Sequence, residues 1–233
     1  KIAGPAAVLT WMLAGCLMMV IATTFVLLAG NLPMVGGTVR YFQMSYGHFA
    51  GYSFSWIAWL AWVAVSPIET MALLQYSTNY LPGLMTSGNH PVLSTNGMLA
   101  AMGLLALISL FNSFSIHFYN KINNFILAFK LLIPILTVIL LFSTQFHTGN
   151  FTQHGGFMPT GLQSLFAALP MAGVIYSFIG FNPAIQLAAE TKNPKTAIPI
   201  AVFGSLCVCI VLYTLIQLAF IAALPTDSLN HGW

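Results

Sequence analysis

No acidic or basic side chain occurs between Lys1 and Arg40, and apolar residues dominate the run from Ile2 to Ala29. About 20 apolar residues are enough for an α-helix to cross the hydrocarbon of a bilayer. Lipid offers the backbone no hydrogen-bond partners, so only helices and closed barrels can cross it. Runs of this kind recur down the chain. Charged residues make up 4% of the total and hydrophobic residues 58%, whereas a soluble domain carries about 25% charged residues. The expectation is an all-α, polytopic membrane protein with a single transmembrane domain over residues 1–233.

Counting spans of membrane length gives about six candidate helices, near 3–29, 49–81, 98–114, 122–142, 162–189 and 198–224. Breaker clusters separate them, the clearest being Gly30-Asn31-Leu32-Pro33-Met34-Val35-Gly36-Gly37. The second candidate is too long for a perpendicular span, so it either tilts strongly or begins at the interface. Its Trp56, Trp59 and Trp62 either anchor one membrane face or line the interior. Arg40, Lys121, Lys192 and Lys195 fall in the loops after the first, third and fifth spans, while the loops after the second and fourth hold no Lys or Arg. Basic residues accumulate on the cytoplasmic side, which makes the first group of loops cytoplasmic. That orientation places Lys1 outside, and both chain ends read as cuts in a longer protein.

The fifth candidate differs in kind. Residues 171–194 carry Gly173, Gly180 and Pro183 within an apolar segment, with Ser177 and Asn182 between them. Pro183 has no backbone N–H and crowds the carbonyl four residues back, at Ile179. Gly180 tolerates almost any backbone angle beside it. A discontinuous helix near 173–183 follows, and freed backbone groups at that depth are tolerated where they meet protein or a wet cavity. The break then faces a ligand; a kink serving packing alone is the alternative.

Two charges remain at membrane depth. Glu69 shares a helix face with Trp62, Ser66, Leu73 and Tyr76. It serves either as a proton acceptor on a pocket wall or as a protonated carboxyl making one structural hydrogen bond. Lys130 either snorkels to the interface or loads and releases a proton. Six scattered histidines and three cysteines within apolar segments provide no metal-ligand spacing. No phosphate-cradling loop and no basic patch point to an ATPase or to nucleic-acid binding, so neither a metal, a cofactor nor an enzymatic activity is expected. Asn150-Phe151-Thr152 matches a glycosylation acceptor on the outer side.

Several stretches carry a family resemblance. They are Ile2-Ala3-Gly4-Pro5-Ala6, Leu32-Pro33-Met34-Val35-Gly36-Gly37, and Lys121-Ile122-Asn123-Asn124 through Phe129-Lys130-Leu131. The most specific is Tyr176-Ser177-Phe178-Ile179-Gly180-Phe181 followed by Leu187-Ala188-Ala189-Glu190-Thr191-Lys192-Asn193-Pro194. The chain resembles amino-acid permeases of the amino acid–polyamine–organocation (APC) superfamily, over what would be their second to seventh helices. The resemblance implies part of a fold of two inverted five-helix repeats, with the substrate held at the midplane by broken helices. It implies that Tyr176, Ser177, Phe178, Ile179 and Gly180, with Asn182 beside them, contact the substrate. Ser66 and Glu69 would meet the substrate side chain, and Lys130 would carry a proton. Asn182 stands where many members have glutamate, so a role for that carboxylate does not transfer; the acid–base work is expected to rest on Glu69, which would alternatively select the substrate side chain. The implied activity is secondary active transport of amino acids, proton-coupled, by alternating access. An amino-acid or amine exchanger of the same superfamily and a non-transporting membrane scaffold are the alternatives. The implied partners are an amino acid, protons, the bilayer, and the first and C-terminal helices of the same protein.

Overall fold

A computed structural model describes residues 2–86, 92–113, 116–144, 146–152, 155–159 and 161–224, with backbone alone at 112 and 116–122. The order of helices is α1 (Ala7–Asn31), α2 (Gly37–Ser77), α3 (Thr95–Asn112), α4 (Ile116–Thr144), α5 (Gly161–Met171), α6 (Asn182–Gln186) and α7 (Pro194–Ala223). A 3-10 helix, Ile175–Phe181, joins α5 to α6. Among the described residues no strand forms beyond one antiparallel bridge between Met85 and Leu93. Gly4–Asn31, Gly37–Ser77, Asn123–Thr144 and Pro194–Ala223 are long and apolar enough to cross a membrane, and the bent pair Gly161–Met171 with Ile175–Gln186 makes a fifth such span. The segment counted as a further span near 98–114 is the short helix α3, 18 residues long. The chain is thus an all-helical, multi-pass membrane protein.

Packing divides the chain into two compact units, Lys1–Tyr41 with Phe129–Trp233, and Phe42–Ala128. In the first, α1 and α7 lie antiparallel. Trp11 meets Tyr213, Gly15 meets Ile210, and Gly30 lies beside Lys195. The buried stripe of α1 runs through Ala14, Met18, Ala22 and Val26, and that of α7 through Ile198, Val202 and Leu206. Both repeat every fourth residue, so ridges of one helix fit grooves of the other. Small residues let the backbones approach: a Cβ on Gly15 would stand 2.1 Å from Ile210 Cγ1. At one end of this unit the turn at Gly36 and Gly37 packs on the end of α6, where a Cβ on Gly37 would lie 3.0 Å from Gln186 Cα. The Tyr41 hydroxyl donates to the Leu32 carbonyl (2.7 Å) and closes that turn.

At the other end Asn150 is fully buried, and its Nδ2 donates to the carbonyls of Ile221 (2.9 Å) and Leu224 (2.8 Å). The His147 N–H donates to the Ala222 carbonyl (2.9 Å). Together they satisfy acceptors that the last turn of α7 would otherwise leave without partners. The Asn150 amide of the Asn-Phe-Thr pattern is thus sequestered in the helix cap.

In the second unit α2 is broken at Gly47 (φ 86°, ψ 178°). Its arms fold side by side, with Phe42 stacked on Phe54 (centroids 4.4 Å apart) and Gly51 set against Gln43. The helix thus begins well before the expected position near 49, and the glycine break accommodates the excess length. Beyond the break, Pro67 lies inside the helix and leaves the Val63 carbonyl without its usual donor.

Candidate functional site

The fifth span bends by 45° between Gly161–Met171 and Ile175–Gln186. The bend is made at Gly173, whose φ of 71° lies in the left-handed region that L-residues avoid. The break thus falls at the start of the stretch expected to be discontinuous, near 173–183, and not beside Pro183. Pro183 sits in the first turn of α6, where a missing N–H costs nothing. The Ile179 carbonyl, which Pro183 would leave free, accepts from the Asn182 backbone N–H and from Asn182 Nδ2 (3.2 Å). The chain does not unwind around Ser177 and Gly180. It tightens into 3-10 turns, with bonds to the third residue back.

On the far side of the bend, the Tyr176 N–H donates to the Gly173 carbonyl (3.1 Å) and the Ser177 N–H to the Val174 carbonyl (3.2 Å). The 3-10 helix starts here, at Ile175, and a helix start presents N–H groups without intrahelical acceptors. On the near side, Pro170 cannot donate to the Phe166 carbonyl.

A cleft of about 450 Å³ lies against this bend, lined by Met18 of α1, by Phe166, Leu169 and Pro170 of α5, and by Ile175, Tyr176 and Ile179. No charged side chain lines it among the described residues, so selectivity there would come from backbone groups and the Tyr176 ring. Tyr176 is 62% exposed, and Ser177 and Gly180 are exposed beside it. The Ser177 hydroxyl donates weakly to the Gly173 carbonyl (3.4 Å). Phe178 differs: at 2% exposure its ring lies in the core, against Trp11 and Tyr213. Its contribution to the cleft is therefore limited to its backbone.

The remaining candidates stand elsewhere on the chain. Lys130 is exposed on α4, and Pro134 deprives its carbonyl of the helical donor. Ser66 and Glu69 are exposed on α2, in the unit 42–128. The Ser66 carbonyl accepts from the Thr70 hydroxyl (2.8 Å). Arg40, Lys192 and Lys195 sit near the end of the first unit where Gly30 meets Lys195 and Gly37 meets Gln186, and Lys121 lies where side chains fall outside the described residues.

Sequence reasoning missed Met18, Trp11, Tyr213 and Gln217. The first three are ordinary residues of apolar helices. Gln217 was the available signal, an amide inside an otherwise apolar span.

A family model described as amino acid permease matches residues 1–232. The chain is 37% identical over 240 residues to the glutamate/serine transporter AimA of Bacillus subtilis, covering 100% of this chain and 44% of that protein. It is 35% identical over 232 residues to the aspartate-proton symporter of the same organism, covering 99% and 44% respectively. A methylthioribose transporter of B. subtilis is 26% identical over 237 residues, covering 99% and 50%. The chain spans about half the length of these curated relatives.

Proposed function

The chain belongs to the amino acid permease family, and on that premise we propose that it forms one half of the substrate site of a proton-coupled amino-acid symporter working by alternating access. The observation that carries this reading is the left-handed bend at Gly173 in an apolar span, with a cleft alongside. Helix starts favour a carboxylate, and freed carbonyls favour an ammonium group. A zwitterion brings both charges, and the helix start after the bend suits its carboxylate.

Within the site, the backbone of Val174 and Ile175 binds the carboxylate, while Tyr176, Ser177, Ile179 and Gly180 shape the cavity. Asn182 acts on the site indirectly, by occupying the Ile179 carbonyl so that the segment stays wound. From the family likeness alone, Ser66 and Glu69 are assigned to the substrate side chain, and Lys130 and Glu69 to the proton. A charge at this depth costs about 2.5–3.5 kcal/mol on insertion scales, which argues for a working role over a passive one. The two most similar relatives named above, a glutamate/serine transporter and an aspartate-proton symporter, support amino-acid cargo and proton coupling. The end of the first unit bearing Arg40, Lys192 and Lys195 faces the cytoplasm.

Uptake of glutamate, aspartate and serine by proteoliposomes of the full-length protein tests the reading. Accumulation driven by an imposed pH gradient and abolished by a protonophore is expected. Uptake that needs internal amino acid and ignores the gradient would establish an exchanger instead.

A further inference from the structure

Ile175, Phe178 and Phe181 lie three residues apart on a 3-10 helix that turns once every three residues. They share one edge, and the latter two are buried at 2% and 6% exposure. Tyr176, Ser177 and Gly180 occupy the other edges and remain exposed. Of this helix, Ile175, Tyr176 and Ile179 line the cleft; its rotation therefore decides which side chains the cleft receives, and the buried Phe178 and Phe181 set that rotation.

Two receptors hold the edge. Phe181 packs on Phe25 of α1 at 6.0 Å between centroids. Phe178 enters a notch of two rings from different helices, Trp11 of α1 at 6.1 Å and Tyr213 of α7 at 5.4 Å, meeting both edge-on. Trp11 and Tyr213 face one another at 5.1 Å, so the three rings form a closed cluster. The notch has its own fastening: Trp11 Nε1–H donates to Gln217 Oε1 at 3.1 Å, in a half-buried setting.

An indole N–H donates and cannot accept. Buried without a partner it is destabilised, so the indole plane is held where an acceptor stands. Gln217 is one turn beyond Tyr213 on the same helix face, and α7 thus supplies both the wall of the notch and the acceptor that orients its opposite wall. We propose that Gln217 and Trp11 are positioning residues for the site: their hydrogen bond fixes the notch, the notch seats Phe178, and the seated ring aims Tyr176 and Ile179 into the cleft. The proposal rests on the functional reading above, but its structural core can be read without transport.

The test uses full-length protein in which every native cysteine, Cys16, Cys207 and Cys209 included, is replaced by serine and Ser177→Cys provides a single thiol. The probe is the alkylation rate of that thiol by a water-soluble methanethiosulfonate. Gln217→Leu and Phe178→Leu are each expected to change the rate about fivefold or more, the size expected when a buried donor loses its partner. Gln217→Glu retains an acceptor oxygen and is expected to restore the parental rate. Trp11→Phe removes the donor and provides the same test if Gln217→Leu fails to fold. On a background retaining Ser177, Gln217→Leu is expected to raise KM for the transported amino acid while the maximal rate holds. Unchanged alkylation in Gln217→Leu, or in Trp11→Phe in its place, together with Phe178→Leu would overturn the proposal. A changed rate in a protein that takes up no amino acid would support the positioning pair and count against the transport reading alone.

Discussion

Gly173 provides the sharpest test of the bend, because its two possible roles predict opposite orders of tolerance. An added Cβ there meets nothing within 4 Å, so side-chain volume is not constrained locally. Its φ of 71° is the constraint. Holding an ordinary L-residue in the left-handed region costs roughly 1–2 kcal/mol, and Asn pays less because its short polar side chain bonds locally. Valine, branched at Cβ, tolerates the region worst. The expected order of retained function is therefore Gly, then Asn, then Ala, then Val, although Asn is larger than Ala.

If the substrate binds the bent form, the cost to Ala weakens its affinity by as much as about 5- to 30-fold. Calorimetry with the amino acid identified by uptake screening reads this directly. A second measurement avoids function altogether: spin labels at Leu162→Cys and Gln186→Cys, both exposed, report the distance across the bend. A broadened distribution reaching longer distances is expected for Ala and Val, and a parental one for Asn. Should Asn prove worse than Ala in both assays, crowding rather than backbone strain would control the position, and the bend would lose its role.

Gly15→Ala places a methyl 2.1 Å from Ile210 Cγ1 and should destabilise the α1–α7 pair by about 1–3 kcal/mol through overpacking; a thermal shift reads this, and Ile210→Ala should relieve part of it. Gly204→Ala, on α7 with nothing within 4 Å, should instead be neutral or stabilise by up to about 1 kcal/mol through helix propensity. Asn150→Ala strips donors from the Ile221 and Leu224 carbonyls and should cost about 1–3 kcal/mol in thermal stability, while glycosidase treatment of the parent protein should leave its electrophoretic mobility unchanged. Glu69→Gln should alter the pH dependence or the substrate range of uptake, and a variant matching the parent in both would remove Glu69 from the mechanism.

The burial of Phe178 shows where one-dimensional reading ran short. The motif around it was recognisable as a string, and the neighbouring Gly and Pro announced an irregular helix. Which of its residues would face the cleft depended on the helical period. At 3.6 residues per turn Phe178 and Phe181 stand about 60° apart, whereas at three per turn they share an edge. The rings that receive Phe178, on α1 and α7, lie more than 30 residues away on the chain in each case.

Membrane residence, the all-helical class and the irregular fifth span were determined by the sequence alone, because they follow from local composition: lipid excludes charge, and proline and glycine act on their own backbone. The site of the bend, the satisfaction of the Ile179 carbonyl by Asn182, and the use of Asn150 as a helix cap were decided by tertiary structure. The last depends on which groups meet across space, and hydrogen-bond demand in a medium without water is met by whichever donor the packing brings within reach.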